Sequence, residues 1–245
     1  MEVDYSIYYS KWHNDTDECY RNNSIWYQCL LRPVLNNTPE TANILDVGCG
    51  TGLLVNMLKD AGFSNVRGID TSLHQIATAT RRGLPCEAVK DEYIFCLADS
   101  EPASHDLIFL MDVLEHIPVP EQMRFVDALF RILKNGGRLV VCVPNANSSF
   151  GMRWRYSDWT HHTAFTEDSL EFVALNRGFV RIEFLPFEYG MPLQFPYFHQ
   201  LSFWTRVLRT FVRSYRRLEA IGELGRQGMK IPLSLNIMAV LYKGE

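Results

Sequence analysis

The sequence predicts an α/β fold in which a mostly parallel sheet carries helices on both faces, and three observations predict it. An apolar strand pattern, Asn43 to Val47, enters a loop with glycines at 48, 50 and 52 and leaves it as an amphipathic pattern at Leu54, Met57, Leu58 and Ala61. A second apolar run, Val66 to Ile69, ends in Asp70, 18 residues beyond Gly52, where a parallel βαβ unit returns to the first loop. A third, Leu107 to Met111, is continuous in the manner of a central parallel strand and stops at Asp112.

At 245 residues and 47% hydrophobic composition, the chain has the material for one full domain and an appendage. A net charge of −4 gives no general attraction to nucleic acid. The N-terminus has neither a basic n-region nor an apolar h-region, and no apolar run approaches the ~20 residues of a membrane span, so a cytoplasmic location is expected. Six scattered cysteines without a C-x-x-C read as reduced thiols.

The first loop identifies its ligand class by exclusion. A dinucleotide fingerprint needs a glycine at position 53, which is Leu, and no Lys follows as in a P-loop. What remains is acidic-x-Gly-x-Gly-x-Gly led by Asp46, and a carboxylate there suits a sulfonium better than a pyrophosphate. Asp46-Val47-Gly48-Cys49-Gly50-Thr51-Gly52 resembles motif I of class I S-adenosylmethionine (SAM) dependent methyltransferases. Asp112-Val113-Leu114-Glu115-His116-Ile117-Pro118 looks like the L-E-H stretch of the type 11 and type 23 members. The resemblance implies a Rossmann-like, seven-stranded methyltransferase sheet, mostly parallel with an antiparallel last strand, and SAM as cofactor.

Taken in order, residues 1–42 are rich in aromatics (Tyr5, Tyr8, Tyr9, Trp12, Tyr20, Trp26, Tyr27) and read as an N-terminal helical cap bounded by Pro33 and Pro39. This cap is either packed on the core or a lid that keeps water from the methyl group; residues 43–245 form the SAM-binding domain. Gly62 ends the first helix of the sheet domain. Asp70 is implied as the ribose ligand, with Thr71 beside it, and helix 72–82 follows. A weak strand near Cys86 to Val89 leads to Asp91, implied as the adenine ligand, and 91–105 shows no clear period. Met111, Asp112 and Val113 are implied to line the methionine end of SAM, together with Asp46, Gly48, Cys49, Gly50 and Gly52 of the glycine loop. Helix 119–134 is stopped by Asn135-Gly136-Gly137, and strand 5 runs from Arg138 to Val143. Thr166 caps a helix that stops at Gly178; Val180 to Phe187 and Leu233 to Tyr242 read as strands 6 and 7, an edge hairpin.

Between strand 5 and that helix, Asp158-Trp159-Thr160-His161-His162-Thr163-Ala164-Phe165-Thr166 resembles the D-x-T-H-x-x-x-F-T element of a type 23 subgroup associated with surface-polysaccharide modification. The acceptor that this implies is a sugar or glycan precursor, methylated on oxygen. Transfer from a sulfonium needs an aligned acceptor and a group to take its proton, a task suited to an imidazole near neutral pH. His161 is the candidate base, oriented by Asp158, with loop ordering as the competing role; His116 is a further catalytic candidate. No spaced metal motif stands out.

The hairpin is interrupted by an insertion at about 188–230. Leu201, Trp204, Leu208, Phe211, Tyr215 and Leu218 recur at helical intervals, beside Arg206, Arg209, Arg213, Arg216 and Arg217. A docked helix with a solvated basic face, a homodimer seam near 200–219, and attraction to an anionic acceptor or membrane surface all fit, with Gly190, Pro192 and Pro196 forming a pocket wall. N-methylation, O-methylation of a natural-product phenol, and a non-catalytic SAM-binding subunit stand as alternatives to sugar O-methylation.

Overall fold

The computed structural model describes residues 17–185 and 203–245. The expectations at Tyr5, Tyr8, Tyr9 and Trp12, and at Gly190, Pro192, Pro196 and Leu201, lie outside those residues. The elements run α1 (Asp17–Leu35), β1 (Asn43–Val47), α2 (Leu53–Asp60), β2 (Asn65–Asp70), α3 (Leu73–Arg81), β3 (Cys86–Ala88), α4 (Tyr93–Ser100) and β4 (His105–Met111). After a 3-10 turn (Leu114–His116) come α5 (Val119–Ile132), β5 (Leu133–Pro144), α6 (Ser149–Ser157), α7 (Glu167–Asn176), β6 (Phe179–Leu185), α8 (Phe203–Leu224) and β7 (Asn236–Lys243).

The seven strands are ordered β3-β2-β1-β4-β5-β7-β6, with β7 antiparallel to both neighbours and the β3-to-β5 pairs parallel. The order reverses direction after β1, so the loops following β1 and β4 open a crevice at the carboxyl edge. Strand alternation distributes the core: Ile108 and Leu110 join Leu129, Ile132 and Leu170 on one face, while Leu107, Phe109 and Met111 join Leu30, Leu31, Leu54 and Leu58 on the other. Both faces of β4 are therefore dry, which is why its sequence shows no polar alternation.

Several boundaries differ from the sequence expectation. Segment 91–105 contains α4, whose buried Ile94, Leu97 and Ala98 amount to little more than one turn of pattern, too short to register as a period. Helix α5 ends at Ile132, and Asn135-Gly136-Gly137 lie inside β5, where the pairing with β4 slips between His105 and Leu107; the glycines make an irregular strand and do not stop the helix. Pro33 sits inside the last turn of α1, which runs two residues further. The arrangement of α8 reverses the docked reading. Its apolar stripe faces solvent, with Leu208, Phe211, Tyr215 and Leu218 each more than 60% exposed. Arg216 and Arg217 turn inward instead, donating to the carbonyls of Asn147 and Gly228 at 2.7 Å each. Arg216 thereby joins the helix to the loop after β5, and Arg217 joins it to the turn that follows the helix. No helix among the described residues is long and apolar enough to cross a membrane.

Asn145 fastens the carboxyl end of β5. It is fully buried, donates from Nδ2 to the Pro232 and Ser234 carbonyls at 2.8 Å each, and accepts from the Asn147 N–H at 2.9 Å. Asn145→Ala leaves three partly buried backbone groups without this partner, and a loss of about 1–3 kcal/mol in urea unfolding is expected.

Candidate active site

The site is assembled at the carboxyl edge, where β1, β2 and β4 end. Gly48, Gly50 and Gly52 all have positive φ (75°, 55° and 79°), which no β-carbon-bearing residue adopts without strain. The turn is closed onto the neighbouring strand: the N–H groups of Gly48 and Cys49 donate to the Ile69 carbonyl at 2.8 and 3.0 Å. Asp70, the last residue of β2, accepts from the Gly50 N–H at 2.8 Å and from the Ser72 N–H at 2.7 Å, tying the glycine loop to the start of α3. A β-carbon on Gly48 would stand 2.3 Å from Cγ2 of Val113, so the segment after β4 presses directly on the glycine loop. The two motifs read separately in the sequence are one structure.

Asp46 is buried beneath the loop. Burial, and then the nearby Asp70 charge, raise its pKa to about 8. Asp70 is raised as well, by burial, with the donors of Ser72 and Gly50 opposing. Asp112 has φ of 54°, an uncommon left-handed conformation for a residue with a β-carbon, and its carboxylate accepts from Asn236 Nδ2 at 2.9 Å. Met111 is buried at the end of β4, and Thr71 follows Asp70 on the same edge. Asp91 is exposed on the turn after β3, outside the hydrogen-bonded knot formed by the loop and Asp70. From above, α1 crosses the loop: Tyr20 donates its hydroxyl to the Thr51 carbonyl at 3.0 Å, and the Arg82 guanidinium lies 4.0 Å from the Tyr20 ring centroid.

Across Val113, the 3-10 turn carries Glu115 and His116 against the loop holding Asp158, Thr160 and His161. The His162 N–H donates to the Glu115 carbonyl at 2.7 Å, joining the two segments. Thr160 donates both its N–H and its hydroxyl to Asp158 Oδ1, at 2.9 and 2.6 Å. With its only hydroxyl proton committed there, Thr160 Oγ1 accepts from His116 Nδ1 at 2.8 Å, which places the His116 proton on Nδ1 and leaves Nε2 with a lone pair. His161 meets His116 edge to face, ring centroids 4.4 Å apart, and its Nε2 lies 3.8 Å from Asp158 Oδ2.

Burial sets the protonation states. It lowers His116 to about 4, the charge of His161 adding to the effect, and lowers His161 against the pull of Asp158. Burial alone would raise Asp158, but the Thr160 donors outweigh it and hold the carboxyl below its usual range. Glu115 is driven well above that range by burial and then by the Asp112 charge. At neutral pH the arrangement is therefore two neutral imidazoles ordered by an ionised Asp158. Asp158 and His161 lie together with His116, which stands more than 40 positions earlier in the chain. The sequence reading undervalued Thr160, the link between Asp158 and His116, and the burial of Glu115; the D-x-T spacing was the only local signal for the first. The sequence also shows no spaced metal motif, yet Glu115, His116 and His161 each present a ligand atom, and these atoms lie within 4.8 Å of one another.

Comparison with known proteins places these features in context. Residues 26–183 match the sequence profile of a methyltransferase domain of type 23. The chain is 40% identical over 107 residues to a ubiquinone biosynthesis O-methyltransferase of Xylella fastidiosa, and 33% identical over 112 residues to one of Idiomarina loihiensis. These matches cover 42% of this chain and 42% and 43% of the respective relatives, so the chain spans about two fifths of the length of the curated relatives it matches. In fold it is similar to a SAM-dependent methyltransferase from Archaeoglobus fulgidus, with a TM-score of 0.67 at 18% identity, covering 98% of this chain and 100% of that one. It is also similar to the magnesium protoporphyrin IX methyltransferase of Synechocystis, solved with S-adenosylhomocysteine, with a TM-score of 0.57 at 13% identity over 98% and 93% of the chains.

The raised Asp46 has a measurable consequence. The folded state holds its proton up to about pH 8 while the unfolded chain releases it near 3.8, so this group's contribution to stability is lost as pH rises across that window. Urea unfolding of the ligand-free protein at pH 5 and pH 8 is expected to show wild type losing stability relative to Asp46→Asn as pH rises.

Proposed function

The chain belongs to the SAM-dependent methyltransferase family of type 23, and from that premise we propose that it moves the methyl group of SAM to a hydroxyl of a small molecule. The single observation that carries the acceptor atom is the pair of neutral imidazoles, His116 in the turn after Val113 and His161 packed edge to face against it, where Val113 in turn presses on the glycine loop. An oxygen acceptor must lose a proton in the transfer, and a neutral imidazole held by a carboxylate is suited to take it.

In this reading the glycine loop (Gly48, Cys49, Gly50, Gly52) receives the cofactor's amino-acid end and Asp46 its ammonium, while Asp70 and Thr71 receive the ribose. Asp91 holds the adenine amino group, and Met111, Asp112 and Val113 line the methionine chain. The free lone pairs of Asp70 support its part: each oxygen already accepts one backbone N–H and retains capacity for a ribose hydroxyl. Helix α1, pinned to Thr51 by Tyr20, serves as part of the cap over the cofactor. His161 is the proton acceptor, Asp158 orients it, and His116 packs against its ring. The C–O bond forms as the C–S bond breaks, the electron pair remains on sulfur and the product is S-adenosylhomocysteine.

Two acceptor classes have support. The D-x-T-H element favours a sugar or glycan precursor, whereas the relatives named for ubiquinone biosynthesis favour a ring hydroxyl. The exposed aromatics around the site, Trp154, Tyr156 and Trp159, offer stacking surfaces to a flat or sugar ring alike. A homodimer through the outward stripe of α8 is a separate element of the proposal, read out by sedimentation.

Transfer of labelled methyl from SAM to catechols, sugar nucleotides and amines tests the reaction. Labelling of a hydroxyl acceptor is expected; label only on amines, or on none of the three, would reject it. His161→Gln is expected to lower turnover by roughly 10²–10⁴-fold while calorimetric SAM affinity stays within a factor of about three. Asp70→Ala is expected to do the reverse, weakening SAM by at least tenfold.

A further inference from the structure

We propose that Glu115, His116 and His161 form a binding site for a divalent transition-metal ion of the zinc or manganese class. The proposal deepens the methyl-transfer reading and depends on it for the ion's use, while the binding itself stands on the geometry of these three side chains.

Glu115 is fully buried, and neither carboxylate oxygen has a hydrogen-bond partner. That is costly for a carboxyl group unless something neutralises it. Its neighbours do not supply a donor. The relay from Asp158 through Thr160 fixes the His116 proton on Nδ1, so Nε2 offers a lone pair. His161 turns Nε2 toward Asp158, and its Nδ1 is buried without a partner. Once Glu115 gives up the proton that its burial favours, the three groups present electron pairs to one another, with ligand atoms inside 4.8 Å, and a cation satisfies all three at once. Bonds of about 2.1 Å in a tetrahedral arrangement set ligand separations of roughly 3.4 Å, so the side chains close in by up to about 1.4 Å.

The donor set selects the ion. Two imidazoles and one carboxylate suit zinc, manganese, iron or cobalt, whereas magnesium and calcium favour all-oxygen sites. The surroundings also match a metal centre, because each imidazole has its second nitrogen directed to the Asp158 and Thr160 pair, an outer shell that fixes ring orientation and tautomer. Three protein donors leave a coordination position open. An acceptor hydroxyl that reaches it loses its proton to water more readily, and its oxygen attacks the sulfonium methyl as the C–S bond breaks toward sulfur. In metal-loaded protein His161 is then a ligand and the ion drives proton loss; in metal-free protein the imidazole takes the proton itself.

The test uses the full chain stripped with EDTA, titrated calorimetrically with Zn²⁺ and Mn²⁺, and with Mg²⁺ and Ca²⁺ for comparison. Uptake of one Zn²⁺ or Mn²⁺ per chain is expected, with at least tenfold weaker binding in Glu115→Gln and His161→Asn and at least tenfold preference over Ca²⁺. A rise in Tm on adding Zn²⁺ to wild type, absent from either variant, is expected in parallel. Should Glu115→Gln not fold, His161→Asn, at the less buried ligand, keeps the comparison. No saturable uptake, or uptake equal in wild type and both variants, overturns the site. Labelled methyl transfer separates the two proposals. Transfer that is insensitive to EDTA in protein without uptake overturns the metal site and leaves the methyl-transfer reading standing. Uptake of one ion lost in the variants, with no transfer to any acceptor, supports the site and overturns that reading.

Discussion

The rest of the molecule is arranged around one constraint: the carboxylate of Asp70 bridges two backbone N–H groups, one in the glycine loop and one at the head of α3. Three glycines in left-handed conformations make a loop with weak intrinsic preference for any single shape. Accepting from Gly50 while the Ile69 carbonyl holds Gly48 and Cys49, the end of β2 dictates the loop's course. Parallel pairing of β1 with β2 and β4 then sets where Asp46, Asp70 and Asp112 meet. The electrostatic consequence is visible in Asp46, whose pKa is raised to about 8 by burial and then by the nearby Asp70 charge. A positive charge placed beside this carboxyl group would favour its ionised form.

The second half of the site depends on a different kind of support. Val113 fills the space that a side chain on residue 48 would need, and the turn after it delivers Glu115 and His116 to the loop of residues 158–162. Just past that loop, Phe165 pairs with the end of β5, donating to the Pro144 carbonyl and accepting from the Ala146 N–H, and the Asn145 amide ties that strand end to residues before β7. His116 is thereby fixed by its hydrogen bond to Thr160, and His161 packs edge to face against its ring.

How much of this could be read from the chain depended on the range of the interactions. Strands β1, β2 and β4 and the loop after β1 were legible because their patterns are local: apolar runs ended by an acid, glycines at fixed spacing. The meeting of Asp158 with His161 was readable for the same reason, since three residues separate them. Helix α4 escaped because little more than one turn of buried residues gives too short a repeat, and Asn135-Gly136-Gly137 misled because a glycine pair serves a strand irregularity as well as a helix end. The outward stripe of α8 could not be foreseen from periodicity, which gives the angle between the two faces of a helix and not which one meets the protein. Nor could the isolation of Glu115, which results from segments more than 40 residues apart closing over it.

One feature of the sheet carries a consequence for how the chain is made. The strand nearest the C-terminus, β7, lies between β5 and β6, and its first residue reaches the Asp112 carboxylate at the head of β4. During synthesis β5 and β6 leave the ribosome long before the partner that joins them. Until residues 236–243 emerge, each exposes an unpaired edge of the kind that invites pairing with a neighbouring nascent chain. The join between β5 and β6 is thus made wholly by a segment that follows both in the chain, so the edge of the sheet closes only when residues 236–243 pair with each of them.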